Sequence, residues 1–168
     1  MDVTLAELVD ALPAGVVVTD PDLLEKYRRD RAGDPAAGVP LAAVRAESTE
    51  HVRVALGWAA RHRVPVVPRG AGTGLSGGAT AVDGGIVLST ERMRAIEINP
   101  RTRMAVVQPG LLNAEVKAAA AAHGLWYPPT RRPSRSARSA ATWRRTPVGC
   151  AASSTASPPT MCSGLRSC

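Results

Sequence analysis

A short strand pattern runs directly into a glycine-rich loop in the stretch Val64-Pro65-Val66-Val67-Pro68-Arg69-Gly70-Ala71-Gly72-Thr73-Gly74-Leu75-Ser76-Gly77-Gly78-Ala79. The β-branched residues from Val64 to Val67 predict a buried strand. Five of the nine residues from Gly70 to Gly78 are glycine, a density that lets the backbone reach positive φ and approach a ligand closely. Successive backbone N–H groups in such a turn form a concave site for an anion. With hydroxyl donors at Thr73 and Ser76 and the cation of Arg69, the loop suits a pyrophosphate.

Two commoner phosphate loops fit this stretch less well. A Walker loop needs a lysine after its glycines, and none follows here. The segment Gly72-Thr73-Gly74-Leu75-Ser76-Gly77 matches the G-x-G-x-x-G pattern of a Rossmann loop, but that loop leads into a helix. Here the chain continues as a loop to Ile86-Val87-Leu88-Ser89, which predicts a further strand. This order argues against a Rossmann fold, and a glycine-rich connector without a ligand stays as the alternative.

The stretch from Pro65 to Ala79 resembles the flavin diphosphate loop of FAD-linked oxidases with a domain of the p-cresol methylhydroxylase or vanillyl-alcohol oxidase type. The resemblance is strongest to the branch of glycolate oxidase FAD subunits and D-lactate dehydrogenases, and it implies FAD as the cofactor. The implied cofactor-binding residues are Pro68, Arg69, Gly70, Ala71, Gly72, Thr73, Gly74, Leu75, Ser76, Gly77 and Gly78, with Pro109 and Gly110 at a second corner near the flavin.

For three of these assignments the sequence leaves two interpretations open. Arg69 acts either by its charge or by bracing the loop. Ser76 is either a hydroxyl donor to the ligand or a turn residue that bonds its own backbone. Pro109-Gly110 is either a flavin contact or a plain turn from a strand into a helix.

The remaining patterns predict an α+β fold, the N-terminal part of such an FAD-binding domain. A β-α-β unit with parallel strands opens the domain, and Asn99-Pro100-Arg101-Thr102 turns an antiparallel hairpin. Gly124 closes the last helix. The predicted helices span residues 4–12 and 22–30, then run from Ser48 or Thr49, as the cap, to about 62 and from Leu111 or Asn113 to 122. The predicted strands span 41–46, 64–67, 86–88, 93–98 and 104–107, and residues 125–129 are predicted to form a short strand and turn.

The charge of the chain is concentrated at its C-terminal end. Of the 21 basic residues, seven are arginines within residues 131–168, a segment that has no Asp or Glu. Residues 1–130 are therefore neutral, with fourteen basic and fourteen acidic residues. All three cysteines also lie in this end segment, with spacings that match no zinc or redox motif, so we expect no metal site.

The segment from 130 onward departs from the family pattern. After Pro128-Pro129 similar proteins have an aspartate and then a second glycine motif resembling Gly-Gly-Asn-Val-Ala-Thr-Asn-Ala-Gly-Gly, whereas this chain has Thr130 and a run of Arg, Ser and Ala. Reading GC-rich codons one nucleotide out of phase can yield both missing features. We therefore expect residues 130–168 to be a frameshift product, from either a sequencing error or a real lesion.

These patterns predict three parts: an N-terminal helical extension (1–39), a partial FAD-binding domain (40–129) and a disordered, out-of-frame tail (130–168). Within the first part, Tyr27-Arg28-Arg29-Asp30 has a weak counterpart in similar proteins. The chain has no secretory signal and no apolar run long enough to cross a bilayer, so a cytoplasmic location is expected.

The resemblance implies an oxidoreductase that oxidises a 2-hydroxy acid and passes electrons to a separate acceptor. The sequence offers no catalytic base, because His51, His62 and His123 fall at surface or helix-end positions. We expect this chain to be truncated and inactive. Two alternatives remain: a non-catalytic dinucleotide-binding fragment, and a nucleic-acid binder through the basic tail, which the neutral body disfavours.

Overall fold

The computed structural model describes residues 5–127 and 153–154. In chain order the elements are α1 Leu5–Asp10, β1 Val17–Val18, α2 Pro21–Arg28, β2 Ala42–Arg45, α3 Thr49–His62, β3 Val66–Arg69, β4 Ile86–Ser89, β5 Ile96–Asn99, β6 Met104–Val107, α4 Asn113–Ala122, β7 Leu125–Trp126 and β8 Ser153–Ser154. The predicted α+β class is confirmed. None of the described helices is long and apolar enough to cross a membrane.

The main sheet has the strand order β1-β2-β4-β3. Both β2 and β3 run parallel to β4, with Ala42 and Val66 each in register with Ile86. The predicted parallel orientation of β2 and β3 is confirmed, but β4 lies between them. The physical reason is burial: all four residues of β4 are buried, as expected of a central parallel strand covered on both faces. β3 contains Pro68, which lacks an N–H and fits an edge strand.

Helices cover both faces of this sheet. On one face, Trp58, Ala55 and Ala59 of α3 pack with Val44 and Ile86 in a cluster that also takes in α1. On the other face, Leu24 of α2 packs with Val18, Ala43 and Val87. Alternate residues of β2 therefore point to opposite faces of the sheet and join different clusters, because side chains alternate along a strand.

Several element boundaries differ from the predicted ones. β5 begins at Ile96 instead of Met93, because the N–H of Met93 donates to the Thr90 carbonyl in a turn. β3 begins at Val66 instead of Val64, because Arg63 is left-handed (φ 55°) and Val64 still donates its N–H to the Ala59 carbonyl of α3. The residues up to Val64 therefore belong to the end of α3, and the extended strand starts only after them. Likewise α2 ends at Arg28, and Arg29 is already extended (φ −115°).

A hairpin and helix follow the main sheet. β5 and β6 pair antiparallel, and Asn99 accepts from the backbone N–H groups of Arg101 and Thr102 in the predicted turn. Gly124, at φ 69°, follows the end of α4 as predicted. β7 pairs with β8. The rest of the segment predicted to be out of frame, and the predicted helix start at Thr4, lie outside the described residues.

We expect Trp58→Ala to lower the free energy of unfolding by about 3–5 kcal/mol, since it removes the largest side chain of the main core. Trp58 is 1% exposed, whereas Trp126 is 50% exposed, so Trp126→Ala is the matched control and should cost under about 1 kcal/mol. Urea unfolding followed by circular dichroism measures both. Equal losses in the two variants would contradict the assigned core.

Candidate functional site

The glycine loop lies at the carboxyl edge of the parallel strands. It leaves the end of β3, where the carbonyl of Arg69 accepts from the backbone N–H of Thr90 at 3.0 Å, just beyond the end of β4. The Pro109-Gly110 corner reaches the same edge, because the N–H of Gly110 donates to the Met93 carbonyl at 2.8 Å. Ligands of open α/β sheets bind beyond this edge. The structure therefore brings together the two sequence-predicted clusters.

Two glycines of the loop have the backbone conformation that glycine permits. Gly72 has φ +65° and Gly77 has φ +72°, values that an L side chain rarely adopts. Gly77 also accepts from Thr80 at 3.0 Å, so the loop closes in a tight turn before it returns to the sheet. The expectation of positive φ is confirmed at these two positions.

The loop presents unused donors. Within residues 5–127 and 153–154, no backbone N–H from 70 to 78 donates a hydrogen bond to another protein atom. Thr73 and Ser76 are exposed, and neither hydroxyl has a hydrogen-bond partner in that part of the chain. Such a row of free donors on a glycine backbone fits the oxygens of a diphosphate.

The side chain of Arg69 lies beneath the loop and is only 9% exposed. Its guanidinium donates to the carbonyls of Arg29 (3.0 Å), Ala79 (3.3 Å) and Lys26 (3.2 Å). It also lies 5.9 Å from the centre of the Tyr27 ring. Arg69 thus braces the loop, which is one of the two roles left open from sequence. Its assignment as a cofactor-binding residue stays a prediction.

Asp30 contacts the loop, although the sequence indicated no role for it. Its buried carboxylate accepts from the N–H of Ala32 at 2.9 Å and of Ala79 at 3.3 Å. The neighbouring N–H of Arg31 donates to the carbonyl of Gly72 at 2.9 Å. The contacts with Ala79 and Gly72 span more than forty residues of sequence, so no local pattern indicates them.

Gly110 is buried because its backbone packs closely on the turn after β4. A Cβ at this position would lie 2.3 Å from the Thr90 carbonyl oxygen, 2.6 Å from that of Met93 and 2.8 Å from that of Glu91. This packing explains why residue 110 is glycine. Direct contact of Pro109 and Gly110 with a cofactor stays a prediction.

Two of the three histidines contact other residues of the fold. Nε2 of His62 lies 3.1 Å from Oε2 of Glu7, and the His62 ring is 5.2 Å from that of Trp58. His51 accepts from the backbone N–H of Glu47. In the part of the chain that the structure describes, no group of three or more His, Cys, Asp or Glu side chains could hold a metal ion.

The resolved shifts in pKa lie on α3, at exposed positions away from the loop. The hydrogen bond from the Arg53 guanidinium lowers the pKa of Glu50, and the same contact raises the pKa of Arg53. This ion pair is a surface feature of the helix and takes no part in the site.

Comparison with known proteins identifies the class. The family model described as "FAD binding domain" matches residues 40–139, so the chain belongs to the FAD-binding domain family. The match continues ten residues past the predicted boundary at 129. The cofactor predicted from sequence, FAD, is confirmed for this domain, and the free donors and glycine backbone of the loop fit its diphosphate.

Curated relatives match part of this chain. The chain is 40% identical to a D-2-hydroxyglutarate dehydrogenase of Stutzerimonas stutzeri (strain A1501) over 123 residues, which are 73% of this chain and 26% of that protein. It is 47% identical to the glycolate oxidase subunit GlcD of Escherichia coli (strain K12) over 91 residues, 54% of this chain and 18% of the relative. The chain thus spans about a quarter or less of these relatives.

Solved structures share the fold. Phl p 4, a grass pollen allergen with glucose dehydrogenase activity, superposes with a TM-score of 0.63 at 23% identity, covering 75% of this chain and 28% of that one. p-Cresol methylhydroxylase gives a TM-score of 0.60 at 23% identity, covering 72% and 25%. At this identity the likeness concerns the fold alone, and it confirms the predicted type of FAD-binding domain.

We expect Gly110→Ala to destabilise the chain by about 1–3 kcal/mol, because its Cβ has no space among three carbonyl oxygens. Gly57→Ala is the matched control: Gly57 lies within α3 and a Cβ there meets nothing within 4 Å. The control should stabilise by about 0.5–1 kcal/mol, since glycine is a poor helix former. Thermal unfolding compares the two, and a tolerated Gly110→Ala would contradict the close approach.

Proposed function

We propose that this chain binds the diphosphate of FAD through the glycine loop, as the N-terminal part of a flavin-dependent oxidoreductase. The observation that carries the proposal is the row of backbone N–H groups from 70 to 78 without partners in the described chain, at the carboxyl edge of the sheet. Preorganised backbone donors of this kind stabilise anions without a conformational change on binding.

The residues of the loop take different roles in this proposal. The backbone from Gly70 to Gly78 donates to the diphosphate, Thr73 and Ser76 add hydroxyl donors, and Arg69 supports the loop from beneath. Pro68, Ala71 and Leu75 contribute through the shape of the main chain. Pro109 and Gly110 border the same edge on the side of β4.

We further propose that the whole enzyme oxidises a 2-hydroxy acid. The relatives named above are a D-2-hydroxyglutarate dehydrogenase and a glycolate oxidase subunit, and a D-lactate dehydrogenase of Archaeoglobus fulgidus is 37% identical over 72% of this chain. Bound FAD supplies the two-electron acceptor for such a substrate, and a separate electron acceptor completes the cycle. We assign no catalytic residue within this chain.

We retain the hypothesis that the reading frame changes near residue 130, and with it the division into parts 1–39, 40–129 and 130–168. The support for it is compositional, since residues 131–168 hold seven arginines and no Asp or Glu. The family match itself runs on to residue 139. Sequencing the gene from the codons for Tyr127 onward tests this. A single-nucleotide correction that restores the second glycine motif supports the hypothesis, and an unchanged frame contradicts it.

We expect the chain to bind FAD and ADP in preference to riboflavin, because riboflavin lacks the phosphates that the loop would hold. Affinity should be modest and should fall as salt increases, since charge contributes to the binding. Equilibrium dialysis with the three compounds measures the preference. Equal binding of riboflavin and FAD would contradict recognition through the diphosphate.

With FAD bound, we expect no bleaching of the flavin absorbance on anaerobic addition of glycolate or D-lactate. The reason is that the chain spans only about a quarter or less of the hydroxy-acid oxidising relatives that it matches. The control is dithionite, which reduces any bound flavin chemically. Bleaching by either hydroxy acid would show that the chain itself contains catalytic machinery.

A further inference from the structure

We propose that Arg69 and Asp30 are positioning residues, which together hold the glycine loop in its anion-binding shape by tying it to the end of α2. This inference rests on the proposed function of the loop. It assigns a role to the segment from Lys26 to Arg31, which lies outside the matched region at 40–139. The observations behind it are the buried side-chain contacts on the inner side of the loop.

The guanidinium of Arg69 is a buried cation that is satisfied by main-chain carbonyls. Within the described residues it forms no ion pair, and its acceptors are the carbonyls of Lys26, Arg29 and Ala79. Two of these carbonyls lie at the C-terminal end of α2, where the helix dipole and free carbonyls favour a cation. A buried charge is retained only when such partners surround it.

Asp30 and its neighbour hold the loop at two further points. The Asp30 carboxylate accepts from Ala79 at the far end of the loop, and the N–H of Arg31 donates to the Gly72 carbonyl near its beginning. Six of the nine free N–H groups, those of residues 73–78, lie between these two points. The segment after α2 therefore holds both ends of this part of the loop.

The position of Arg69 also decides from which side a ligand approaches. A Cβ at Gly72 would lie 2.2 Å from Nη2 of Arg69, so the guanidinium already fills the inner side of the loop. Thr73, Gly74, Leu75 and Ser76 form the exposed rim of the loop. We infer that the diphosphate meets this outer rim, and that Arg69 acts on it through the shape of the loop.

The first test uses Arg69→Lys in the full chain, with Arg53→Lys as the matched control on exposed α3. Lysine keeps the charge but cannot reach three carbonyls with a planar fork of donors. We expect FAD to bind about tenfold more weakly in Arg69→Lys and within about twofold in the control, since each lost charge-assisted hydrogen bond is costly. Unchanged affinity in Arg69→Lys would overturn the positioning role.

The second test is chemical rescue. Arg69→Ala should leave a cavity lined by the Lys26, Arg29 and Ala79 carbonyls. Guanidinium chloride at low, non-denaturing concentration should restore FAD binding, whereas an equal concentration of sodium chloride should weaken it further. A loss of affinity that guanidinium does not restore would indicate general damage to the fold and would count against the proposal.

The third test needs no ligand. In Asp30→Asn, amide hydrogen exchange of Arg31 and Thr80 should accelerate about tenfold, although neither N–H donates to Asp30. Asp34→Asn, which removes only the carboxylate that accepts from Ala36, is the control. Exchange in β4 should stay unchanged, which reports an intact sheet.

The proposed function and the positioning role of Arg69 and Asp30 are tested separately. If the wild-type chain shows no preference for FAD over riboflavin, the proposed function fails, and the exchange measurement still decides whether Asp30 holds the loop. If Arg31 and Thr80 exchange at the wild-type rate in Asp30→Asn, the positioning role is wrong. Should that variant not fold, Arg69→Lys decides by the same exchange measurement.

Discussion

The shape of the candidate site depends on the hydrogen bonds that the buried guanidinium of Arg69 donates. It joins the end of β3, the end of α2 and the far end of the glycine loop through three carbonyls. Without those acceptors, a buried cation would cost several kcal/mol, so the loop and the helix end are held together as one unit. The glycines permit the loop conformation, but Arg69 and Asp30 select it.

The sheet beneath the loop and the helix packed on it contain several small buried side chains. Phe is absent from the chain, and the fully buried residues of β2 and α3 include Ala42, Ala43 and Ala55. Small residues let a helix pack closely on a sheet, and Trp58 supplies the bulk that fills the remaining volume. The resulting layer holds the ends of β3 and β4 side by side, where the loop begins.

Local sequence patterns predicted the local structure well. Ser48 caps α3 by accepting from the N–H of His51, and Asn99 forms the hairpin turn. Both depend on contacts within three residues, which the sequence displays directly. The errors arose where a neighbouring element intervened: β3 starts late because the end of α3 still holds Val64, and no strand pattern reports that constraint.

The same distinction holds for the site. The glycine loop and the α+β class follow from the sequence patterns by themselves, because a run of glycines after a strand pattern encodes backbone freedom in one continuous segment. FAD as the cofactor came from the resemblance of the stretch from Pro65 to Ala79 to a family loop. The insertion of β4 between β2 and β3, the burial of Arg69 and the contact of Asp30 with Ala79 were decided only by the tertiary structure. Each of these depends on contacts between residues at least twenty positions apart, such as those of Arg69 with Lys26 and Arg29. Which residues meet across such sequence separations depends on how the whole core packs, and no single segment contains that information.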